Sequence, residues 1–134
     1  MKRLITENLH EVSFHDSSIE NVVRGDNVTT LFFDWAKVTH EQRSLVVGQC
    51  KLDLHSPSGE TLTPPQYAKT CLGFEFTLIG VNSSNSDQHL KLGGFYDSKN
   101  DYLWLDWNCT FLSFQFSWLD HVTLEEWKAG KLPA

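Results

Sequence analysis

The sequence has few basic residues, and they do not cluster. Lys and Arg together number 11 against 17 Asp and Glu, which gives a formal net charge of −6. Lys2 and Arg3 are the only adjacent basic residues. Proteins that bind nucleic acids or anionic membranes need concentrated positive charge to displace counterions. We therefore expect neither a nucleic-acid partner nor a membrane partner.

Long apolar runs and paired cysteines are also missing. No stretch approaches the ~20 apolar residues that span a bilayer. Near the N-terminus the only apolar run is Leu4-Ile5, which is too short for the core of a signal peptide. Cys50, Cys71 and Cys109 are odd in number and widely spaced, which disfavours a disulfide scaffold. We expect a cytoplasmic protein whose cysteines are reduced and act as small hydrophobic residues.

The usual sequence signatures of catalysis do not occur. The chain has no Gly-x-Ser-x-Gly, no GxGxxG and no P-loop. A zinc helix requires two histidines four residues apart, whereas His10 and His15 are five apart. The other four histidines are isolated in sequence: His40, His55, His89 and His121. We expect no enzymatic activity, no cofactor and no metal site.

Aromatic residues, in contrast, are abundant. Nine Phe, five Trp and three Tyr make up 13% of the chain. Large flat side chains suit the pleated surface of a sheet, and turn signals separate the short apolar runs throughout. We predict a single, mainly β domain over residues 1–134. It is expected to be an antiparallel sandwich or a partly open barrel of about seven strands, with a short C-terminal helix.

Alternation of apolar and polar residues predicts where these strands lie. The predicted strands are residues 19–24, 28–38, 45–55, 70–81, 89–96, 101–107 and 110–118. A hairpin turn is expected at residues 25–27, where Gly and Asn tolerate positive φ. Residues 39–44 and 82–87 are polar and are predicted to be loops, and Gly93-Gly94 indicates a β-bulge.

The periodicity changes near the C-terminus. Thr123 and Glu126 have the spacing of a capping box, in which each side chain bonds the other residue's backbone amide. Gly130 is a typical helix stop. We predict a helix over residues 124–129, with Leu124 and Trp127 docked on the sheet.

The most distinctive short segment is Phe14-His15-Asp16-Ser17-Ser18-Ile19, which leads into the first predicted strand. One interpretation makes His15 and Asp16 an acid–base pair. The other is structural: the Asp16 and Ser17 side chains bond nearby amides and fix the entry into the sheet. Adjacent residues of a strand point to opposite faces, which favours the structural interpretation. His15, Asp16 and Ser17 remain candidate binding residues.

A second candidate site lies on the last two predicted strands. Tyr102, Trp104, Trp107 and Trp118 lie close together in sequence there. Tyr and Trp are enriched at binding hot spots, but they are also common in β cores, and both faces of these strands carry aromatics. We take Tyr102, Trp104 and Trp107 as candidate binding residues and leave the core interpretation open.

The Phe-His-Asp segment and the hairpin after it resemble those of small bacterial domains of the immunity protein 50-like kind. The resemblance extends over about residues 11–118. It implies a β-rich fold and a cytoplasmic protein that neutralises a polymorphic toxin, and it implies no catalytic residue.

Three functions are compatible with these observations. The first is a non-enzymatic protein-binding domain, in particular a bacterial immunity protein that blocks a toxin. The second is a β-barrel that binds a small molecule in an internal cavity. The third is an oligomeric structural protein, for example a homodimer that pairs through an edge strand.

Overall fold

The computed structural model describes residues 2–3, 9–40, 42–63, 79–86, 88–98 and 101–133. Within these ranges the chain forms thirteen β-strands in three antiparallel sheets. A 3-10 turn (Leu9–Glu11) precedes the second strand, and one α-helix, α1 (Leu124–Lys128), follows the last. None of the helices in the described ranges is long and apolar enough to cross a membrane.

The three sheets have the following spatial strand orders. The first sheet contains β1 (Lys2–Arg3), β12 (Ser113–Trp118), β7 (Cys50–His55), β4 (Val28–Phe33) and β3 (Ile19–Gly25). The second contains β13 (His121–Thr123), β6 (Arg43–Val47), β5 (Ala36–His40) and β2 (Val12–Ser13). The third contains β8 (Ser58–Thr63), β11 (Asp101–Thr110), β10 (His89–Ser98) and β9 (Ile79–Ser86).

The first and second sheets are two halves of one bent sheet. Short links join β12 to β13, β6 to β7, β4 to β5 and β2 to β3. The strand order β12-β7-β4-β3 in the first sheet is matched by β13-β6-β5-β2 in the second. We call the line of these links, residues 14–18, 34–35, 48–49 and 119–120, the bend.

A change in the phase of the buried residues marks the bend in the β4–β5 link. Thr29, Leu31 and Phe33 are buried on β4, but Ala36 and Val38 are buried on β5. Residues 34 and 35 lie between them, so the inward positions change from odd to even numbers. In an uninterrupted strand the inward positions keep one parity, because side chains alternate between the two faces.

Hydrogen bonds between the links satisfy the backbone where strand pairing stops. Asp34 Oδ1 accepts from the backbone N–H of Ser18 at 2.7 Å and of Trp35 at 2.9 Å. The Gly48 N–H donates to the Asp120 carbonyl at 2.9 Å. The Leu119 N–H donates to the Gln49 carbonyl at 3.2 Å. The bend therefore depends on segments that are far apart in sequence.

One hydrophobic core joins all three sheets. Phe14 stacks on Phe33 with ring centroids 4.0 Å apart and meets Phe116 edge-on at 6.0 Å. The third sheet contributes fully buried residues to the same cluster, namely Leu90, Leu92, Leu105 and Trp107. In the part of the chain that the structure describes, the sheets do not close into a barrel, and the arrangement is that of a β-sandwich. The predicted fold class is thus confirmed in its sandwich form.

Two predicted strands are wrong, because each crosses the bend. Residues 28–38 form β4 and β5, which belong to different sheets, and residues 45–55 are divided in the same way between β6 and β7. The prediction of about seven strands is too low partly for this reason. Alternation alone does not detect a two-residue link, because the residues on either side remain apolar and β-forming. The two strands are then predicted as one.

Two predicted loops are also largely strand. Thr39 and His40 belong to β5 and pair with Ser44 and Arg43 of β6, and Gln42 lies in the left-handed region at φ 65°. Residues 82–86 belong to β9 and pair with β10. Asp87 lies outside the described residues, as do residues 70–78 of the predicted fourth strand.

Several local predictions are confirmed. The first hairpin turns at Asp26 and Asn27, and Asn27 has a φ of 59°. The pairing of β10 with β9 shifts register between Gly93 and Phe95, as expected for a bulge. The capping box of α1 is complete, since the Glu126 N–H donates to Thr123 Oγ1 and the Thr123 N–H donates to Glu126 Oε1, both at 3.1 Å.

Candidate functional site: an aromatic groove at the bend

The Phe14–Ser17 segment forms a tight turn that enters the sheet. The Ser17 N–H donates to the Phe14 carbonyl at 3.0 Å, and the Ser17 hydroxyl donates to the same oxygen. Asp16 has a φ of 64°, which tight turns require and Asp tolerates. Phe14 and Ser17 are fully buried. Ser17 thus closes the turn, and its side chain does not face a ligand.

His15 and Asp16 lie on the open surface beside this turn. His15 Nε2 is 3.5 Å from Asp16 Oδ2, and the two side chains are 65% and 71% exposed. An acid–base pair in an active site normally lies in a cleft that positions the substrate and limits the access of water. The structure places His15 and Asp16 together, but on an exposed turn.

The tryptophan candidates on β11 are separated by the sheet itself. Trp107 is fully buried in the core, and its Nε1–H donates to Glu60 Oε1 at 2.8 Å. Its selection as a binding residue is therefore corrected, because no part of the indole reaches the surface. Trp107 and Trp104 are three residues apart on one strand, and alternation places them on opposite faces.

Trp104 lies on the outer face of the third sheet and is 37% exposed. Its Nε1–H donates to Asp106 Oδ1 at 3.1 Å, and its ring meets Phe95 edge-on at 5.1 Å. The indole lies over Gly93, where an added Cβ would be 2.6 Å from Trp104 Cζ2. Tyr102 pairs with Asp97 through the backbone, and its side chain lies outside the described residues. Trp104 and Trp107 therefore do not belong to one site.

An apolar groove lies along the bend, and no motif in the sequence points to it directly. Its volume is about 650 Å³. Buried Val46 and Gly48 are at its base, and several of its other residues are large and apolar. The complete lining is Asp34, Trp35, Val46, Gly48, Gln49, Leu119, Trp127, Leu132 and Pro133.

The bend turns apolar side chains of the groove toward solvent. Alternation predicts that Trp35 shares the inward face of Leu31 and Phe33, but the phase change leaves it half-buried in the link. Leu119 occupies the β12–β13 link and is 51% exposed. Each side chain lies where the alternation is interrupted, so neither can follow the inward pattern of its strand.

Helix α1 supplies the opposite aromatic wall. Trp127 is 41% exposed and stacks with Trp35, with ring centroids 6.5 Å apart and planes 13° from parallel. The expected docking of Trp127 on the sheet is therefore partial: the indole packs beside the bend, and no residue of α1 is fully buried. Leu132, beyond the helix, is 73% exposed and extends the apolar surface.

The lining of the groove carries little charge. Asp34 is the only charged residue in its lining among the described residues. Cys50 lies next to Gln49, and burial raises the pKa of its thiol. The nearby charges of Asp34 and Glu20 raise this pKa further.

The described residues contain no group of three or more His, Cys, Asp or Glu side chains that could hold a metal ion. Cys50 and Cys109 are buried free thiols, and burial raises the pKa of both, which opposes formation of a nucleophilic thiolate. The groove therefore offers apolar and aromatic contact with one carboxylate at its edge. Cys71 lies outside the described residues.

Comparisons with protein-family models, with curated proteins and with solved structures found no match. The resemblance to immunity protein 50-like domains stays a prediction. The geometry of the groove is therefore the main guide to function.

Proposed function

We propose that this protein is a non-enzymatic protein-binding domain and that its partner docks in the groove at the bend. The observation that carries this proposal is a groove at which three exposed large apolar side chains, those of Leu119, Trp127 and Leu132, surround the half-buried Trp35. Contiguous apolar surface of this kind marks interaction sites in proteins. Tryptophan is also the residue most characteristic of binding hot spots.

The composition of the groove supports a protein partner. Charged residues are depleted from the core of protein interfaces, where aromatic residues are enriched, and polar residues form the rim. Gln49 and Asp34 are the polar side chains of the groove, and the rest of its lining is apolar or glycine. The chemistry of the groove therefore suits binding of a protein surface better than catalysis.

The groove is also held in place before any partner binds. The backbone N–H of Trp35 donates a hydrogen bond to the Asp34 side chain, and Trp127 belongs to a helix whose capping box is complete. Fixing the contact residues in advance lowers the entropy lost on binding. A preformed aromatic surface is what a tight protein-binding domain requires.

The more specific proposal is that this domain is a cytoplasmic bacterial immunity protein. Its support is the net charge of −6, which suits a basic partner, and the Phe-His-Asp segment at residues 14–16. In this role the domain would cover the active face of a toxin and would need no catalytic group.

The experiment is calorimetric titration with the purified product of the neighbouring gene. Trp35→Ala and Trp127→Ala should each weaken binding by tenfold or more, as expected of hot-spot residues. Leu119→Ser should also weaken it. The controls are Trp104→Ala, an exposed aromatic on another sheet, and Leu112→Ser, an exposed leucine outside the groove.

If the control variants lose binding and the groove variants keep it, the interface lies elsewhere on the protein. The absence of any complex with the neighbouring product would contradict the immunity proposal.

A small apolar ligand is a second candidate function, favoured by the groove volume. About 650 Å³ lies within the range of roughly 300–1,000 Å³ that small-molecule sites occupy. Within the described ranges the sheets do not close, so this ligand would bind in the surface groove and not inside a barrel. Micromolar binding of a neutral aromatic probe that Trp35→Ala abolishes, with no protein complex, would favour this candidate.

A homodimer through an edge strand stays a prediction that light scattering can test.

A further inference from the structure

We infer that the groove receives an arginine side chain of the partner protein, with its guanidinium against the indoles of Trp35 and Trp127 and hydrogen-bonded to Asp34. This inference rests on the proposed function, since it names the anchor residue of the partner that docks in the groove. Its basis is the aromatic pair, the fixed carboxylate and the absence of cationic residues from the described lining.

The aromatic pair suits a planar cation. The Trp35 and Trp127 ring planes are only 13° from parallel, and Trp127 keeps 41% of its surface exposed. A cation within about 6 Å of an aromatic centroid is attracted by the ring, and tryptophan attracts it most strongly. A guanidinium is flat and weakly hydrated, so it stacks on an indole better than an ammonium group does.

Asp34 provides the matching charge at a fixed position. Its Oδ1 accepts hydrogen bonds from the Ser18 and Trp35 amides, and these bonds hold the carboxylate at the bend. A carboxylate has about four acceptor sites on its two oxygens, so Asp34 retains acceptor capacity. Guanidinium and carboxylate form charge-assisted hydrogen bonds of matching geometry.

No Lys or Arg among the described residues lines the groove. A cationic side chain that enters the groove therefore meets one carboxylate and no cation of the described lining. Leu119 and Leu132 supply apolar surface for the methylene stem of an arginine, which can pack on hydrophobic residues while its charged end reaches Asp34.

Three small probes of matched shape test the chemistry of this anchor. n-Butylguanidinium carries the proposed group, n-butylammonium carries the charge without the plane, and n-butylurea carries the plane without the charge. The readout is the set of five indole N–H signals in ¹H–¹⁵N NMR spectra of the whole protein, assigned with single Trp→Phe variants.

The guanidinium probe should shift the Trp35 and Trp127 signals saturably and leave the Trp104 signal unchanged. Its affinity should be at least fivefold higher than that of either other probe. Asp34→Asn keeps an oxygen for the backbone amides and removes the charge. This variant should lower guanidinium affinity at least fivefold and leave urea affinity unchanged.

Equal affinity for urea and guanidinium would overturn the arginine inference but not the proposed docking function, which the partner titration tests independently. No saturable shift with any probe would also overturn it. If Asp34→Asn disturbs the fold, Trp127→Leu provides the test, because Trp127 lies on the exposed helix. Unchanged guanidinium affinity in Trp127→Leu would contradict the inference.

Discussion

Gly93 shows how a single missing side chain shapes the outer face of the third sheet. An added Cβ would lie 2.6 Å from Trp104 Cζ2 and 2.8 Å from Asp106 Oδ1. Both distances are shorter than non-bonded atoms tolerate. The glycine therefore lets the indole lie flat on the sheet and reach Asp106 with its N–H.

Gly93→Ala is expected to displace Trp104 and break its hydrogen bond to Asp106. Overpacking of this kind costs about 1–3 kcal/mol, and the exposed indole can move, so we expect the lower part of the range. Urea denaturation followed by circular dichroism measures the loss. Gly25→Ala is the control, because its Cβ would meet no atom closer than 3.4 Å. Equal stability of the two variants would show that the close approach has no energetic consequence.

Residues 14–17 illustrate what sequence reasoning can and cannot assign to single residues. The Asp and Ser side chains correctly indicate a turn, because both bond nearby backbone groups readily. The sequence does not show that Ser17 is buried while His15 and Asp16 stay exposed. That difference arises because Phe14 inserts between Phe33 and Phe116 and draws the turn against the core.

Among the secondary-structure elements, α1 depends on its N-terminal cap. With five residues, Leu124–Lys128, it is too short to be stable alone, and none of its residues is fully buried. Its first turn relies on the reciprocal bonds of Thr123 and Glu126. The position of Trp127, and with it one wall of the groove, depends on this cap.

Thr123→Ala should destabilise the helix by about 1 kcal/mol, because it leaves the Glu126 amide without its side-chain acceptor. Hydrogen exchange of the α1 amides and the Trp127 indole signal measure the effect. Thr123→Ser retains the hydroxyl and is the matched control. Equal protection in both variants would contradict a capping role.

The stability of the same helix should depend on pH through the Glu126 carboxyl. Its hydrogen bond with Lys131, together with the Thr123 amide, lowers the pKa from 4.5 to about 2. Because the folded value lies below the unfolded value, the stabilisation is complete above pH 4.5 and is lost as the pH falls toward 2. A ¹³C NMR titration should show this shift, and Lys131→Met should raise the pKa. An unchanged pKa in that variant would exclude Lys131 as the main cause.

Across the molecule as a whole, Glu60 links the first and third sheets. It accepts the Trp107 Nε1–H in the core at 2.8 Å and pairs with Arg24 of β3. Arg24 and Glu60 belong to edge strands of different sheets, β3 and β8. This contact therefore closes one side of the sandwich.

Glu60→Ala should destabilise the protein by about 1–3 kcal/mol, because the buried Trp107 N–H loses its acceptor. Glu60→Gln keeps an acceptor oxygen but loses the charge that faces Arg24, so its loss should be smaller, about 1 kcal/mol. Thermal denaturation measures both. Glu20→Ala, an exposed position on β3, should stay within about 0.5 kcal/mol of the parent. Identical losses for the Ala and Gln variants would mean that the indole bond contributes little.

The local features of this protein follow from residues that are close together in sequence. Alternation with period two selects strands over helices, the Asp-Asn turn forms the first hairpin, and the Thr123–Glu126 spacing caps the helix. Each of these features needs only neighbouring residues, so each could be predicted. The β-rich class follows from them.

The position of the bend and the outward-facing aromatics, in contrast, depend on the assembled sheets. The bend requires hydrogen bonds between residues 18 and 34, 48 and 120, and 49 and 119, which are distant in sequence. A two-residue link then reverses the phase of burial and turns Trp35 away from the core, toward Trp127. Because those contacts form only when the sheets assemble, the groove could not be seen in the alternation of any single strand.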